Sequence, residues 1–177
     1  MAIDYRTEPD YWEYLDGEAH PKVSPRPRHA VVQFAVGRLI ATAGTGFGKV
    51  GTEWDVWLHD RESLTKFIPD VSFFSFERLR AMRERGADFR SCAPDVAVEV
   101  LSPGDSRAYL KMKIELYLSH GSLVVLDVDP RKRTIHVWDR AGRVMRLLEE
   151  DRFEHPDVPW LRFAVRDAFA DLDDIPE

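Results

Sequence analysis

The sequence predicts one α/β domain in which a mixed β-sheet is flanked by helices. Short apolar runs of strand length alternate with segments whose apolar residues recur at helical spacing. The predicted elements include the order strand, strand, helix, strand, strand, which indicates a mixed sheet with helices. A length of 177 residues suffices for one domain with its own core. We therefore expect a single domain over residues 1–177.

The first half of the chain is predicted to contain a short N-terminal helix, one long helix and two strands. Residues 5–16 mix aromatic and acidic side chains and are predicted to form a short helix, and residues 16–18 a turn. Prolines at positions 21, 25 and 27 keep the next stretch out of a helix. Residues 28–43 carry apolar side chains at helical spacing, and the glycine-rich residues 44–48 end that helix. Residues 53–58 and 66–74 are predicted strands.

The second half is predicted to alternate strands and helices. A charged segment, residues 76–89, is expected to include an exposed helix. Residues 95–101 and 122–128 are apolar runs typical of buried strands, and residues 105–120 between them form a helix. Turns at 129–132 and 140–142 predict hairpin strands over 133–138 and 144–148. Residues 160–172 are predicted to form a short amphipathic segment near the C-terminus.

Composition restricts the classes of function. The formal net charge is −6, which argues against a general DNA-coating protein because nonspecific affinity comes from phosphate neutralisation. An acidic metal site can still engage phosphate locally, so a nuclease is not excluded. The lone Cys92 allows neither an internal disulfide nor a cysteine zinc site. With no apolar run of membrane-spanning length and no signal peptide, we expect a cytoplasmic protein without membrane contact.

Two carboxylates stand in apolar surroundings. Glu99 lies within the predicted buried strand 95–101, and Asp70 lies within the apolar segment 67–74. A buried carboxylate is costly unless a charged group faces it. Lys111 and Lys113 follow on the next predicted helix. Two acids that hold a divalent cation beside a lysine can hydrolyse phosphodiesters, whereas the plain structural interpretation is that Glu99 pairs with an arginine and the lysines are solvated.

At these residues the sequence resembles the Uma-two (Uma2) family of restriction-endonuclease-like proteins, a branch of the PD-(D/E)XK nucleases. The resemblance covers nearly the whole chain. Its most specific part is the segment 98–103, Val-Glu-Val-Leu-Ser-Pro, followed by Lys113 and Tyr117 on the helix. The matching shorter pieces are Leu-Asp-Gly-Glu at 15–18, Ser-Pro at 24–25 followed by His29, Pro-Asp-Val at 69–71 and Val-Asp-Pro at 128–130.

The resemblance implies a restriction-endonuclease-like fold and a set of roles. Asp70 and Glu99 would be metal ligands for Mg²⁺ or Mn²⁺, and Lys113 would be the catalytic lysine. The usual nuclease motif has that lysine two residues after the acid, where this chain has Leu101. Glu18 would be an additional acid near the metal, and His29 occupies a position often kept in the family.

The choice of lysine and one departure from the family pattern also concern this site. Lys111 and Lys113 both border the apolar stripe of their helix, so helical geometry alone does not choose between them, and the resemblance favours Lys113. After Gly121 the family usually has a glutamate, a tyrosine and a tryptophan, whereas this chain continues Ser-Leu-Val-Val-Leu at 122–126. That departure predicts the loss of a secondary contact near the site.

The leading hypothesis is a Mg²⁺- or Mn²⁺-dependent endonuclease that hydrolyses phosphodiester bonds in DNA. The alternative is a catalytically silent binding module that keeps the nuclease fold, and a serine hydrolase acting through Ser106 is a minor third. The expected partner is nucleic acid, with DNA favoured over RNA by the resemblance alone. A homodimer is also expected, with Trp54, Trp57 and Phe73 as either surface or core residues.

Overall fold

The computed structural model describes residues 12–15, 17–22, 25–59, 64–88 and 90–175. Asp16 and Ser24 of the expected motifs, most of the predicted helix 5–16, and the predicted helix end at Phe89 lie outside these residues. The helices are α1 (Pro27–Ala43), α2 (Phe76–Glu84) and α3 (Arg107–Ser119). The strands are β1 (Trp12–Leu15), β2 (Glu18–Pro21), β3 (Gly48–Thr52), β4 (Val56–His59), β5 (Leu64–Phe67), β6 (Val71–Ser75), β7 (Val96–Val100), β8 (Val124–Asp129), β9 (Thr134–Asp139), β10 (Val144–Leu147), β11 (Arg152–Phe153) and β12 (Phe163–Ala164). Two 3-10 turns follow, Val165–Ala168 and Ala170–Leu172.

A six-stranded mixed sheet forms the centre of the fold. Its strand order is β10-β9-β8-β7-β6-β3, and only β7 and β8 pair in parallel within it. Helix α3 makes the crossover between these parallel strands, as a parallel pair requires. The predicted mixed sheet flanked by helices is therefore confirmed.

Two apolar layers cover the faces of this sheet. One face packs against α1 and the C-terminal 3-10 turns through a cluster that includes Val36, Ile40 and Val98. The other packs against α3 through a cluster that includes Ile114, Tyr117 and Ala97. Side chains alternate between faces along a strand, so Glu99, two residues after Ala97, faces the α3 side.

A second sheet of order β2-β1-β5-β4 carries the N-terminal segment. The prediction of a helix over residues 5–16 is wrong where it can be checked, because Trp12–Leu15 form β1, hydrogen-bonded to β2 and β5. The aromatic residues in this segment suit a strand, whose partner β5 lies about fifty residues away in sequence and leaves no local signal. The predicted turn at Gly17 is confirmed, and its φ of 80° suits glycine.

Further differences concern strands β3 to β6. The predicted strand 66–74 is two strands, β5 and β6, separated at Pro69, which has no N–H for a ladder. The predicted strand 53–58 begins later, at Val56, and β3 was not predicted because its glycines are poor strand formers. Gly48 in β3 allows the close approach of β6, since a Cβ there would collide with the carbonyl of Phe74.

The remaining elements agree with the sequence within a few residues. Helix α1 begins at Pro27, a residue suited to the first helical turn. Ser106 caps α3 by accepting a hydrogen bond from the Tyr109 N–H, which gives this serine a structural role. Of the aromatic residues considered for a dimer surface, Phe73 and Trp57 are buried. No helix in the described part of the chain is both long and apolar enough to cross a membrane.

Candidate active site

Asp70 and Glu99 come together because the start of one strand lies beside the end of its antiparallel neighbour. Asp70 directly precedes β6, and β6 pairs antiparallel with β7 in a register that sets Val71 opposite Val98. Extending this register by one residue sets Asp70 opposite Glu99. Both side chains are buried. The two acids of the sequence motif therefore occupy adjacent strands at one end of the sheet.

Asp70 is held by four groups from separate parts of the chain. Its Oδ2 accepts a hydrogen bond from the Val100 N–H at 2.6 Å, and His29 Nε2 lies 3.2 Å from the same oxygen. Its Oδ1 accepts a hydrogen bond from Lys22 Nζ at 2.7 Å. Gln33 donates to its backbone carbonyl at 2.9 Å. Helix α1 thus supplies two side chains that orient Asp70, and the segment after β2 supplies a cation.

Glu99 is held by α3. Lys113 Nζ lies 2.8 Å from Glu99 Oε1, and the Tyr117 hydroxyl donates to the same oxygen at 2.8 Å. Lys113 and Tyr117 are four residues apart and so lie on one face of the helix. Lys111, in contrast, is 62% exposed and pairs with Glu115 on the same helix. The structure therefore brings Lys113, and not Lys111, to Glu99.

Glu13 of β1 completes the cluster. Lys113 Nζ donates to Glu13 Oε1 at 2.7 Å, and the Ile68 N–H donates to this oxygen at 2.9 Å. The Tyr109 hydroxyl donates to Glu13 Oε2 at 3.1 Å. Sequence reasoning missed Glu13. The available signal was an acid flanked by Trp12 and Tyr14 in a segment that pairs as a strand, hence a buried charge in need of a partner.

Glu18, the acid expected near the metal, is not brought to this cluster. It lies exposed on β2 beside the turn at Gly17, and its register partner is Leu15. Glu13 lies two residues before Leu15 on β1, which is roughly 7 Å from the hairpin tip at the usual strand rise. The resemblance pointed to the acid of the turn, whereas the strand before the turn supplies the buried one.

An open cavity of about 480 Å³ gives solvent access to these groups. Its lining includes the acids Glu13, Asp70 and Glu99 together with Lys22 and Lys113. Formal charges of −3 and +2 leave the cluster at −1. A second cavity of about 610 Å³ adjoins it and shares His29, Leu101, Ser102 and Asp105 with the first.

The buried charges shift one another's pKa. Burial alone would raise the pKa of Asp70, but Lys22 and His29 hold it well below its ordinary value. For Glu99 burial dominates over the attraction of Lys113 and raises the pKa. Burial opposes the charge on Lys113, yet Glu13 and Glu99 raise its pKa above the ordinary lysine value. Lys113 is therefore a proton-bearing cation at neutral pH, suited to stabilise negative charge and to donate hydrogen bonds.

The donor chemistry of the cluster fits a divalent cation. No group of three or more His, Cys, Asp or Glu side chains within the described residues forms a ready-made metal site. However, Asp70 Oδ1 and the Ile68 carbonyl already hold a cation, the Lys22 ammonium, at 2.7 and 2.6 Å. Carboxylate and carbonyl oxygens are the ligands that Mg²⁺ prefers, and Mg²⁺ often takes only one or two carboxylates. Asp70 and Glu99 would hold it.

The departure from the family pattern at residues 122–126 begins just before β8 and covers the first half of that strand. Val124 pairs with Val96, whereas Glu99 pairs with Asp127, three residues further along the strand. At a rise of about 3.3 Å per residue this puts Val124 roughly 10 Å from the level of Glu99. The segment then approaches the site, since Leu126 pairs with Val98, the neighbour of Glu99. Val124, Val125 and Leu126 are buried in the sheet, and the loss of a contact near the acids stays a prediction.

The mixed sheet with an acid on each of two adjacent strands is that of a restriction-endonuclease-like protein. The sequence model of the family described as "Uma2: Putative restriction endonuclease" matches residues 2–166, and the chain belongs to this family. Among solved structures it is similar to the crystal structure of "a putative nuclease belonging to DUF820" from Anabaena variabilis, with a TM-score of 0.77 and 22% identity over 90% of this chain and 89% of that one. A search of curated proteins finds no significant match.

Proposed function

We propose that this protein is a Mg²⁺- or Mn²⁺-dependent endonuclease that hydrolyses phosphodiester bonds in DNA. The observation that carries the proposal is the convergence of Asp70, Glu99 and Lys113 in one open cavity. Membership of the Uma2 family supports a nuclease, and nucleases of this fold generally use divalent metals.

The residues of the cavity suggest a division of roles. A divalent cation held by Asp70 and Glu99 would polarise the scissile phosphate and lower the pKa of the attacking water. Lys113 keeps its proton and offers a fixed positive charge to the phosphate as negative charge develops. Glu13 and Tyr117 orient Lys113 and Glu99 through the hydrogen bonds described above. In-line attack of the water oxygen on phosphorus then breaks one phosphorus–oxygen ester bond, and the leaving oxygen takes up a proton.

Cleavage of plasmid and oligonucleotide DNA with Mg²⁺ or Mn²⁺ tests this assignment. Asp70→Ala, Glu99→Ala and Lys113→Ala should each lower the rate by about a hundredfold or more, as expected when a group that stabilises the transition state is lost. Lys111→Ala is the matched control on the same helix and should keep the parental rate. Equal cleavage by the parent and the three site variants would overturn the assignment.

The adjoining cavity offers a surface for the phosphates that flank the scissile bond. Its lining includes Arg26, Arg28, Arg107, Arg131 and Lys132. Arg107 is engaged with Asp127 and Asp129, at 3.0 and 3.2 Å. Arg131 and Lys132 are exposed beside the opening. The overall charge of −6 confines any attraction for DNA to such a local surface.

This surface predicts a salt-dependent contribution to DNA binding. The double variant Arg131→Gln/Lys132→Gln should weaken binding of a labelled duplex in EDTA and reduce the slope of log affinity against log salt by about two. Arg80→Gln/Arg83→Gln removes the same charge from the exposed face of α2, away from the site, and should change the slope little. Fluorescence anisotropy across a salt series measures the affinity and its salt slope for each double variant. Equal slopes for the two variants would exclude the surface at Arg131 and Lys132 as a contact for DNA phosphates.

The catalytically silent binding module remains a second candidate because of one contact. Lys22 already neutralises Asp70, one of the two proposed metal ligands. Calorimetric titration with Mn²⁺ separates the two functions: a nuclease site should bind the ion and lose that binding in Glu99→Ala, whereas a silent module should show no such difference. The homodimer, the cytoplasmic location and the single domain over residues 1–177 stay predictions.

A further inference from the structure

The ammonium of Lys22 lies among the acids of the site, although the family resemblance assigns it no role. Lys22 directly follows β2, and its Nζ donates to Asp70 Oδ1 at 2.7 Å and to the Ile68 carbonyl at 2.6 Å. Its charge also interacts with Glu99 and Glu13. It therefore sits where oxygen atoms of the cluster hold a cation.

We infer that Lys22 competes with the divalent ion for Asp70 and so determines the metal affinity of this site. The inference rests on the metal site of the proposed function. With Lys22 and Lys113 both in place, the cluster of three acids carries −1, so an added divalent ion would leave it at +1. With Lys22 displaced from the cluster, the same ion leaves it neutral. Binding of the ion is thus coupled to departure of the ammonium from Asp70.

The two lysines differ in their freedom to leave. Lys113 is anchored on α3 between Glu13 and Glu99, and its side chain is 5% exposed. Lys22 extends from a segment outside any helix or strand, and its side chain is 14% exposed at the wall of the open cavity. Its ammonium can turn into the cavity, where it would regain water or meet a substrate phosphate. Lys22 therefore sets the metal affinity of the site by moving towards or away from Asp70, whereas Lys113 stays in place.

Replacement of Lys22 by a neutral side chain tests the competition. Lys22→Met keeps the length of the side chain and removes its charge, so the affinity for Mn²⁺ should rise by at least about tenfold. The thermal stabilisation produced by a fixed Mn²⁺ concentration should rise with it, since the stabilisation of the folded state by a ligand grows with the logarithm of the ligand concentration divided by its Kd. Lys22→Arg keeps the charge and should retain the weaker, parental affinity. Lys111→Met is the control for loss of a lysine outside the site.

Isothermal calorimetry and thermal denaturation with Mn²⁺ measure these effects without reference to cleavage. Should Lys22→Met fail to fold in metal-free buffer, Lys22→Gln retains a hydrogen-bond donor for Asp70 and should show the same gain in affinity. Equal or weaker Mn²⁺ affinity in the neutral Lys22 variants, with binding by the parent, overturns the inference and leaves the proposed metal site intact. No Mn²⁺ binding by the parent or by any Lys22 variant overturns both.

Discussion

Removal of the Lys113 ammonium should destabilise the fold strongly, because two buried acids share it. Lys113→Met preserves most of the apolar stem but leaves Glu13 and Glu99 without the cation at 2.7 and 2.8 Å. Loss of one partner from a buried ion pair costs about 3–5 kcal/mol. The hydroxyls of Tyr109 and Tyr117 still reach the two acids, so we expect a loss of about 3–5 kcal/mol and not twice that value.

Urea denaturation at neutral pH measures this loss of stability. Two further variants test whether the loss comes from the buried ion pairs of Lys113. Lys111→Met removes an exposed lysine of the same helix, paired at 3.7 Å with an exposed Glu115, and should change the free energy of unfolding by less than about 0.5 kcal/mol. Lys113→Met/Glu99→Gln removes one uncompensated charge and should recover about 1–2 kcal/mol. A loss below about 1 kcal/mol in Lys113→Met would refute the reasoning, since it would show that the acids do not depend on this cation.

Two more predictions concern the acids. Glu13→Gln should lower the free energy of unfolding by about 1–3 kcal/mol, because the amide oxygen still accepts the hydrogen bonds while the negative charge that faces Lys113 is lost. Glu18→Gln, exposed on β2, should change it by less than about 0.5 kcal/mol. Urea denaturation compares the two variants, and equal losses would contradict the placement of Glu13 in the cluster. The pKa of Asp70 is lowered in the folded state, so its contribution is present above the unfolded value of about 3.9 and is lost as pH falls below it. The parent should therefore lose stability between about pH 5 and pH 3 more steeply than Asp70→Asn, and parallel curves in urea titrations at stepped pH would argue against the shift.

Local patterns explain why much of the site was predictable. Glu99 stands in an apolar run that is typical of a buried strand. Lys113 and Tyr117 follow at helical spacing on a helix whose serine cap lies just before it. Each of these signals spans fewer than about twenty residues, which is the range over which side-chain periodicity reports secondary structure. The resemblance to a family then linked the acid and the lysine, and the structure brings both together.

The errors fall where partners are distant in sequence. Residues 12–15 were predicted to be helical, yet their strand exists because β2 and β5 pair with it. The break at Pro69, which places Asp70 just before β6, is an exception, because a proline inside a strand run is a local signal that the ladder is interrupted. Propensity is a weak guide for such short segments, since tertiary pairing overrides it.

The sequence by itself determined the α/β class, the central strand with Glu99, the helix with Lys113 and the family. Only the tertiary structure decided that Glu13, and not Glu18, pairs with the buried Lys113. It alone also decided that Lys22 pairs with Asp70. Glu13 and Lys113 lie 100 residues apart, and Lys22 and Asp70 lie 48 apart. A charge becomes costly to leave unpaired once the fold has buried it, so these partners are selected by burial in three dimensions, which no local pattern of the chain encodes.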